Sequence, residues 1–206
     1  MRKKIYYWSF EGNEGTGKTS LSKRFADACG ATWTYEPNAE TEELRKLREL
    51  ALTENSHMTK NGRECILLAN RSIHHQMHVV PLLQSKETVV TDRSFLSGMV
   101  YARLNGVEFK SFMEMSYLHN LVTLPDAIIY CTSEKRIIVK NPNDIYDNAD
   151  EETLLKIDSF FEEALEFVSL YIHTKHIKIL RFQNDLSIPA EKNAERLVEF
   201  IKDKCR

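Results

Sequence analysis

The chain is poor in the residues that staple, break or anchor a protein. Its 206 residues include four cysteines, seven glycines and five prolines. Cys29, Cys65, Cys131 and Cys205 form no C-x-x-C pair. That suits reduced thiols better than a disulfide framework or a thiolate zinc site, so a cytoplasmic protein is expected. No Pro/Gly-rich linker, repeat or low-complexity block divides residues 1–206, which predicts a single domain. No run of 18 apolar residues occurs, so no membrane span is expected. Neither sign of charge dominates: 28 Lys and Arg face 30 Asp and Glu, for a net charge of −2. That balance argues against a nucleic-acid-coating surface, and no nucleic-acid partner is expected. The start, MRKKIYYW, is basic and then apolar, but its apolar stretch is short and runs into a glycine-containing segment. It reads as a first strand and not as a secretory signal.

What the chain does have is alternation. Runs rich in Val, Ile and Tyr at 5–10, 31–35, 88–91, 127–131 and 176–182 predict strands. Helical patterns separate them at 18–29, 42–52, 62–83, 94–104, 109–121, 151–173 and 189–204. Strands alternating with helices predict an α/β fold, a five-stranded parallel sheet with helices on both faces. Ligands in that architecture bind beyond the carboxyl ends of the strands. The segment after the first strand, Glu36, the Asp92-Arg93 pair and the segment after Cys131 all fall there.

Residues 10–20 read FEGNEGTGKTS. From Gly12 to Thr19 they fit the phosphate-binding pattern G-x-x-x-x-G-K-[ST], between a predicted strand and a predicted helix. Gly12 and Gly17 let the backbone turn its N–H groups inward on phosphate oxygens, and the helix adds its positive end. The pattern assigns Gly12, Asn13, Glu14, Gly15, Thr16, Gly17, Lys18, Thr19 and Ser20 to ATP. Lys18 would reach the terminal phosphates, and the Thr19 hydroxyl would ligate Mg²⁺. A plain glycine-rich turn is the competing reading, and the flanking elements argue against it. Thr88 to Arg93 is an apolar strand ending in an acid and a base. Asp92 would hold the Mg²⁺ hydration shell, and Arg93 would bridge phosphates. Alone, such a pair reads as a surface salt bridge; downstream of a P-loop it reads as a site.

With these residues in place, the sequence resembles the thymidylate kinases, which phosphorylate deoxythymidine monophosphate. FEGNEGTGKTS is similar to that family's opening F-E-G-x-x-G-x-G-K, and Tyr35-Glu36-Pro37 to its second-strand R-E-P. Residues 67–71, LLANR, resemble its L-L-F-x-A-[AN]-R helix. Residues 92–101 resemble D-R-[YH]-x-x-S-x-x-A-[YF], and Leu124-Pro125-Asp126 its fourth-strand entry. The resemblance implies a P-loop nucleoside monophosphate kinase domain with a short lid at about 133–148, ATP as phosphoryl donor, Mg²⁺ as cofactor, and a homodimer. It further implies that Glu14 holds the deoxyribose 3′-hydroxyl, Arg71 reads the pyrimidine O4, Arg93 contacts the acceptor phosphate, and Tyr101 crowds the 2′ position. Glu36, Arg45 and Ser97 complete the substrate-binding set it suggests. Lys18, Arg93 and Arg136 are the expected catalytic residues, and Thr19 and Asp92 the expected metal ligands.

The family's base-stacking Phe is Leu67 here, its second-strand Arg is Tyr35, and its Tyr or His after Asp-Arg is Ser94. The P-loop contains no arginine, so lid cations are expected to act instead: in Ser133 to Asn148 the cations are Lys135, Arg136 and Lys140, of which Arg136 and Lys140 could close over the transferring phosphate; a solvated basic turn is the competing reading. Three strings, Glu11-Gly12-Asn13, Glu36-Pro37 and Asp92-Arg93-Ser94, also resemble deoxynucleoside kinases. There Glu36 would take a proton from a neutral 5′-hydroxyl. A non-catalytic P-loop regulator is the third reading. His74 and His78, four apart, read as a helix surface or subunit contact in preference to a zinc pair. Phe160, Phe161, Leu165, Phe167, Val168 and Tyr171 read as a core stripe. Asn141-Pro142-Asn143-Asp144 is not read as a guanine motif, because it has no lysine.

Overall fold

The computed structural model describes residues 5–53, 57–138, 145–146 and 148–204. Lys140 and the segment 141–144 lie outside the described residues. Five parallel strands, β1 (Tyr7–Glu11), β2 (Thr32–Tyr35), β3 (Val89–Asp92), β4 (Ala127–Thr132) and β5 (Lys178–Gln183), form one sheet in the order β2-β3-β1-β4-β5. Between them run α1 (Lys18–Cys29), α2 (Glu42–Leu52), α3 (Lys60–His74), α4 (Val80–Gln84), α5 (Phe95–Leu104), α6 (Phe109–Met113) and α7 (Glu151–Leu170), and α8 (Ala190–Lys204) ends the domain.

Side chains alternate across each strand, and both faces are covered. On one face Trp8, Phe10, Ile129 and Phe182 pack with Leu21 and Phe25 of α1 and Leu197 of α8. On the other, Ile128 and Tyr130 pack with Phe95 and Met99 of α5 and Ile157, Phe161 and Leu165 of α7. The predicted stripe of α7 is therefore core. Phe161 is fully buried, and truncating it to Ala removes roughly 3–5 kcal/mol of stability. Asp126 closes the amino end of the sheet, its Oδ2 accepting from the Tyr6 and Tyr7 amides at 3.0 and 3.2 Å. The register pairs Phe10 with both Asp92 and Ile129, and Tyr35 with Asp92. Glu11, Glu36, Arg93 and Thr132 consequently leave the sheet along one edge.

The expected helix 62–83 is interrupted. After α3 the chain makes a π turn over His75–Val79, in which the Val80 amide bonds to the His75 carbonyl, and then enters α4. Pro81 explains it: it has no N–H for the Met77 carbonyl and its ring would press on that turn, so the helix widens. The widening corrects the reading of His74 and His78 as a surface pair. His74 and His75 are fully buried, and only His78 remains partly exposed.

Candidate active site

The P-loop begins where β1 ends. Gly12 has φ +142, and a Cβ there would lie 2.4 Å from the Cys131 carbonyl oxygen. Gly17, the residue before α1, has φ +74 and lies against Asn184. Only glycine fits both places without strain. Lys18, directly after Gly17, is buried, its Nζ 3.1 Å from the Asn13 carbonyl and 3.8 Å from Glu14 Oε2. Burial and the nearby Arg93 push its pKa below the usual lysine value. Ser20 is exposed one residue beyond Thr19, in the first turn of α1.

Glu11, fully buried below the loop, accepts from Ser9 Oγ (2.6 Å), Ser94 Oγ (2.7 Å) and the Ser97 amide (3.1 Å). Burial raises its pKa against these hydrogen bonds. The Ser97 hydroxyl is committed to the same carboxylate and to Arg93. Ser97 thus lines the crevice but braces the Asp92-Arg93 corner. Ser94, small enough to reach Glu11, belongs to that brace.

Arg93 sits at φ 68, in left-handed backbone that costs a non-glycine residue about 1–3 kcal/mol. The turn aims its guanidinium at the P-loop: Nη1 donates to the Gly12 carbonyl and to Ser97 Oγ at 3.2 Å each, and Nη2 pairs with Glu14. Tyr101 donates to Glu14 Oε1 at 3.2 Å and lies under Arg93, 5.3 Å from the ring centre to the guanidinium. Burial works to raise the Glu14 pKa, but Arg93 and Lys18 outweigh it and hold the carboxyl at about 2.

Asp92 is buried, with Oδ2 accepting from the Thr19 hydroxyl. Its Oδ1 is buried with no hydrogen-bond partner among the described residues. A hydroxyl beside an unsatisfied carboxylate oxygen is a hard-oxygen donor set that fits a divalent cation such as Mg²⁺.

Beyond these residues opens a cavity of about 580 Å³ between β2, α2, α3 and α5. Lys18, Arg93 and Arg48 line it around Glu14, Arg71 lines it against Gly98, and Leu67, Tyr101 and Tyr146 complete the lining. Arg71 is buried and gives its Nε to Glu36 Oε2 at 2.5 Å; Glu36 also accepts from His75 and, at 3.3 Å, from His74 Nδ1. Burial alone would raise the Glu36 pKa, but His75 and Arg71 hold it well below the usual carboxylate range. Arg45 stands outside the cavity, half exposed and paired with Glu49 at 3.1 Å. Arg48, three residues on, reaches in and donates to the Pro37 carbonyl.

A second cavity, of about 630 Å³, lies across the P-loop between the segment after β4 and the segment after β5, lined by Arg136, Asn184, Asp185 and Arg196. Asn184 Nδ2 holds the Thr16 carbonyl at 2.8 Å. Residues 136–138 close on the P-loop: the Ile137 amide donates to the Gly15 carbonyl at 3.0 Å, and a Cβ on Gly15 would lie 2.9 Å from Ile138. Arg136 pairs with Asp158 of α7, whose other oxygen accepts from Asn13 Nδ2 at 2.9 Å. Asn13 thereby links the P-loop, the segment after β4 and α7.

The family model described as "Thymidylate kinase" matches residues 10–195. The chain belongs to the thymidylate kinase family. A thymidylate kinase of Campylobacter lari is 27% identical over 205 residues, covering 96% of this chain and all of that protein. One from Helicobacter pylori strain HPAG1 is 32% identical over 160 residues, covering 73% of this chain and 77% of the relative. The solved thymidylate kinase of Candida albicans superposes with a TM-score of 0.71 at 16% identity over 97% of this chain and 92% of that one, a likeness of fold. The five-stranded parallel sheet flanked by helices is that of this family's P-loop fold, and the protein is a kinase.

Sequence reading missed Arg48, Glu64, Tyr146, Asp158, Asn184 and the buried His74 and His75. Helical phase offered a signal for one of them: Glu64, like Leu67, shares the α3 face of Arg71, at spacings of seven and four. For Tyr146, Asp158 and Asn184 the contacts are long-range and nothing local marks them.

Proposed function

We propose that this kinase transfers the γ-phosphoryl group of ATP directly to the phosphate of dTMP, giving ADP and the diphosphate. One observation carries the acceptor assignment: Glu36 has no free capacity as a base. Its carboxylate is held by Arg71, His74 and His75, so it is unsuited to deprotonate a neutral 5′-hydroxyl. The cavity instead gathers Arg48, Arg93 and Lys18 around Glu14, which suits an acceptor phosphate that is already ionised. A deoxynucleoside kinase and a non-catalytic regulator are not favoured.

In this reading the P-loop amides and Lys18 hold the β- and γ-phosphates, and the second cavity takes the rest of ATP. Thr19 and Asp92 would hold Mg²⁺, which neutralises charge on the transferring phosphates. Arg93 leaves Glu14 to bind the acceptor phosphate, freeing Glu14 and Tyr101 for the deoxyribose. Arg71 donates to the base, and Arg48 takes the phosphate role expected of Arg45. Arg136 turns from Asp158 toward the transferring group as the lid closes. Catalysis is then alignment and charge compensation without a covalent intermediate. The residues from 133 to 148 act as lid of a single domain, and a homodimer is the proposed assembly. None of the described helices is long and apolar enough to cross a membrane. Purified protein with Mg-ATP should form ADP only when dTMP or a close analogue is added; ADP formation independent of any deoxynucleoside monophosphate would overturn the assignment.

A further inference from the structure

His74 and His75 are fully buried, and phosphoryl transfer uses neither. Their hydrogen bonds define their protonation. The Thr123 amide donates to His75 Nδ1 at 2.8 Å, so that nitrogen carries no proton and Nε2 is the donor facing Glu36 Oε1. His74 Nε2 lies 2.8 Å from Thr34 Oγ1, and that oxygen in turn accepts from Asn38 Nδ2 at 3.4 Å. The Glu36 carboxylate only accepts, so His74 Nδ1 carries a proton and donates to it at 3.3 Å, and Nε2 pairs with the Thr34 hydroxyl. Two imidazole N–H groups thus converge on one carboxylate oxygen, and the other is left for Arg71 Nε at 2.5 Å.

The pairing decides which way Arg71 points. An arginine side chain carries large rotamer entropy, and Arg71 has a competing acid on its own helix face, Glu64, whose Oε1 is occupied by Asn105 Nδ2 at 2.6 Å. Tied by Nε to Glu36, the guanidinium lies on Gly98, where a Cβ would stand 2.6 Å from Nη1. Its remaining N–H groups present only donors on the part of the cavity wall beside Gly98. His75 opens the π turn directly after His74, and both rings are buried.

We propose that Glu36, His74 and His75 are positioning residues that lock Arg71 as a donor surface, so that the acceptor base must offer a carbonyl oxygen there. This rests on the reading of the cavity as the acceptor site. A keto pyrimidine satisfies Arg71, whereas an amino pyrimidine sets an N–H₂ group against it and leaves buried donors unpaired. The ligand atoms of Glu36, His74 and His75 also lie within 4.8 Å of one another, close enough for a metal ion. The ring nitrogens that face Glu36 carry protons, however, and Arg71 occupies the carboxylate's other side.

The test is steady-state kinetics of the full chain with dTMP and dCMP, for wild type, His75→Leu, His75→Gln and Glu36→Gln. His75→Leu removes the donor to Glu36 and should raise KM for dTMP by about tenfold or more, with KM for ATP unchanged and kcat within about threefold. His75→Gln keeps an N–H donor near the Nε2 position and should restore KM to within about threefold of wild type. Glu36→Gln, which keeps the shape and reports even where His75→Leu does not fold, should raise KM for dTMP and shrink the preference for dTMP over dCMP. Active variants with an unchanged dTMP KM and an unchanged preference would overturn the inference. So would KM for both substrates moving together, or one equivalent of zinc in the purified wild type by elemental analysis. Wild type that fails to phosphorylate dTMP at all would remove the acceptor reading itself, a separate result.

Discussion

Arg93 donates to Glu14 across the mouth of the P-loop, so the cation proposed for the acceptor phosphate and the acid proposed for the sugar hold each other. Each has a charged partner before substrate arrives, and neither must be buried unpaired. Binding a deoxynucleotide exchanges one charged pair for two charge-assisted contacts, arginine to phosphate and carboxylate to hydroxyl. Arg93→Ala should lower kcat by about 10³-fold or more while ATP affinity, measured by titration calorimetry, stays within about threefold. Turnover near wild type would remove Arg93 from the reaction.

The same pair predicts a pH dependence of stability. Glu14 has a folded pKa of about 2, below the unfolded value near 4.3. A depressed carboxylate stabilises the fold fully above its unfolded pKa, and the contribution disappears as pH falls through the folded pKa. Glu14→Gln should therefore flatten the part of the stability curve between about pH 4.5 and 2 and leave its shape above pH 6 unchanged. Chemical denaturation of both proteins across that range checks it.

Gly98 gives a steric prediction. A methyl group there would meet Arg71 at 2.6 Å and Phe112 at 2.7 Å. Gly98→Ala should push the guanidinium out of its seat and raise KM for dTMP by about tenfold or more, with KM for ATP unaffected. An unchanged dTMP KM would mean that Arg71 does not touch the acceptor.

Arg136 supplies the lid prediction. Arg136→Ala should lower kcat by about 10²-fold with KM for dTMP within about threefold, because the cation is used in the transition state and not in acceptor binding. A rise in dTMP KM at constant kcat would reassign Arg136 to the ground state.

How much of this was legible in the sequence depended on the range of the interaction. The P-loop, the strand ends and the α7 stripe are local patterns, written in glycines, β-branched runs and helical spacing, and the five strands lie within a few residues of their predicted places. Arg45 and Arg48 are three apart on α2, and helical phase alone does not choose between them. The choice is made by Pro37, whose carbonyl takes Arg48, and by Glu49, which takes Arg45. His74 and His78 follow a surface spacing that the π turn at Pro81 breaks. Glu36 looked like a base because its partners, Arg71, His74 and His75, lie 35 to 39 positions away. Only the packing of α3 against β2 brings them together.

The most direct measurement compares thymidine with dTMP as acceptor in a coupled ADP assay with Mg-ATP. Ion-paired Glu36 and the cations Arg48, Arg93 and Lys18 predict rapid ADP formation with dTMP and none above background with thymidine. Phosphorylation of thymidine, with dTMP inert, would contradict the account.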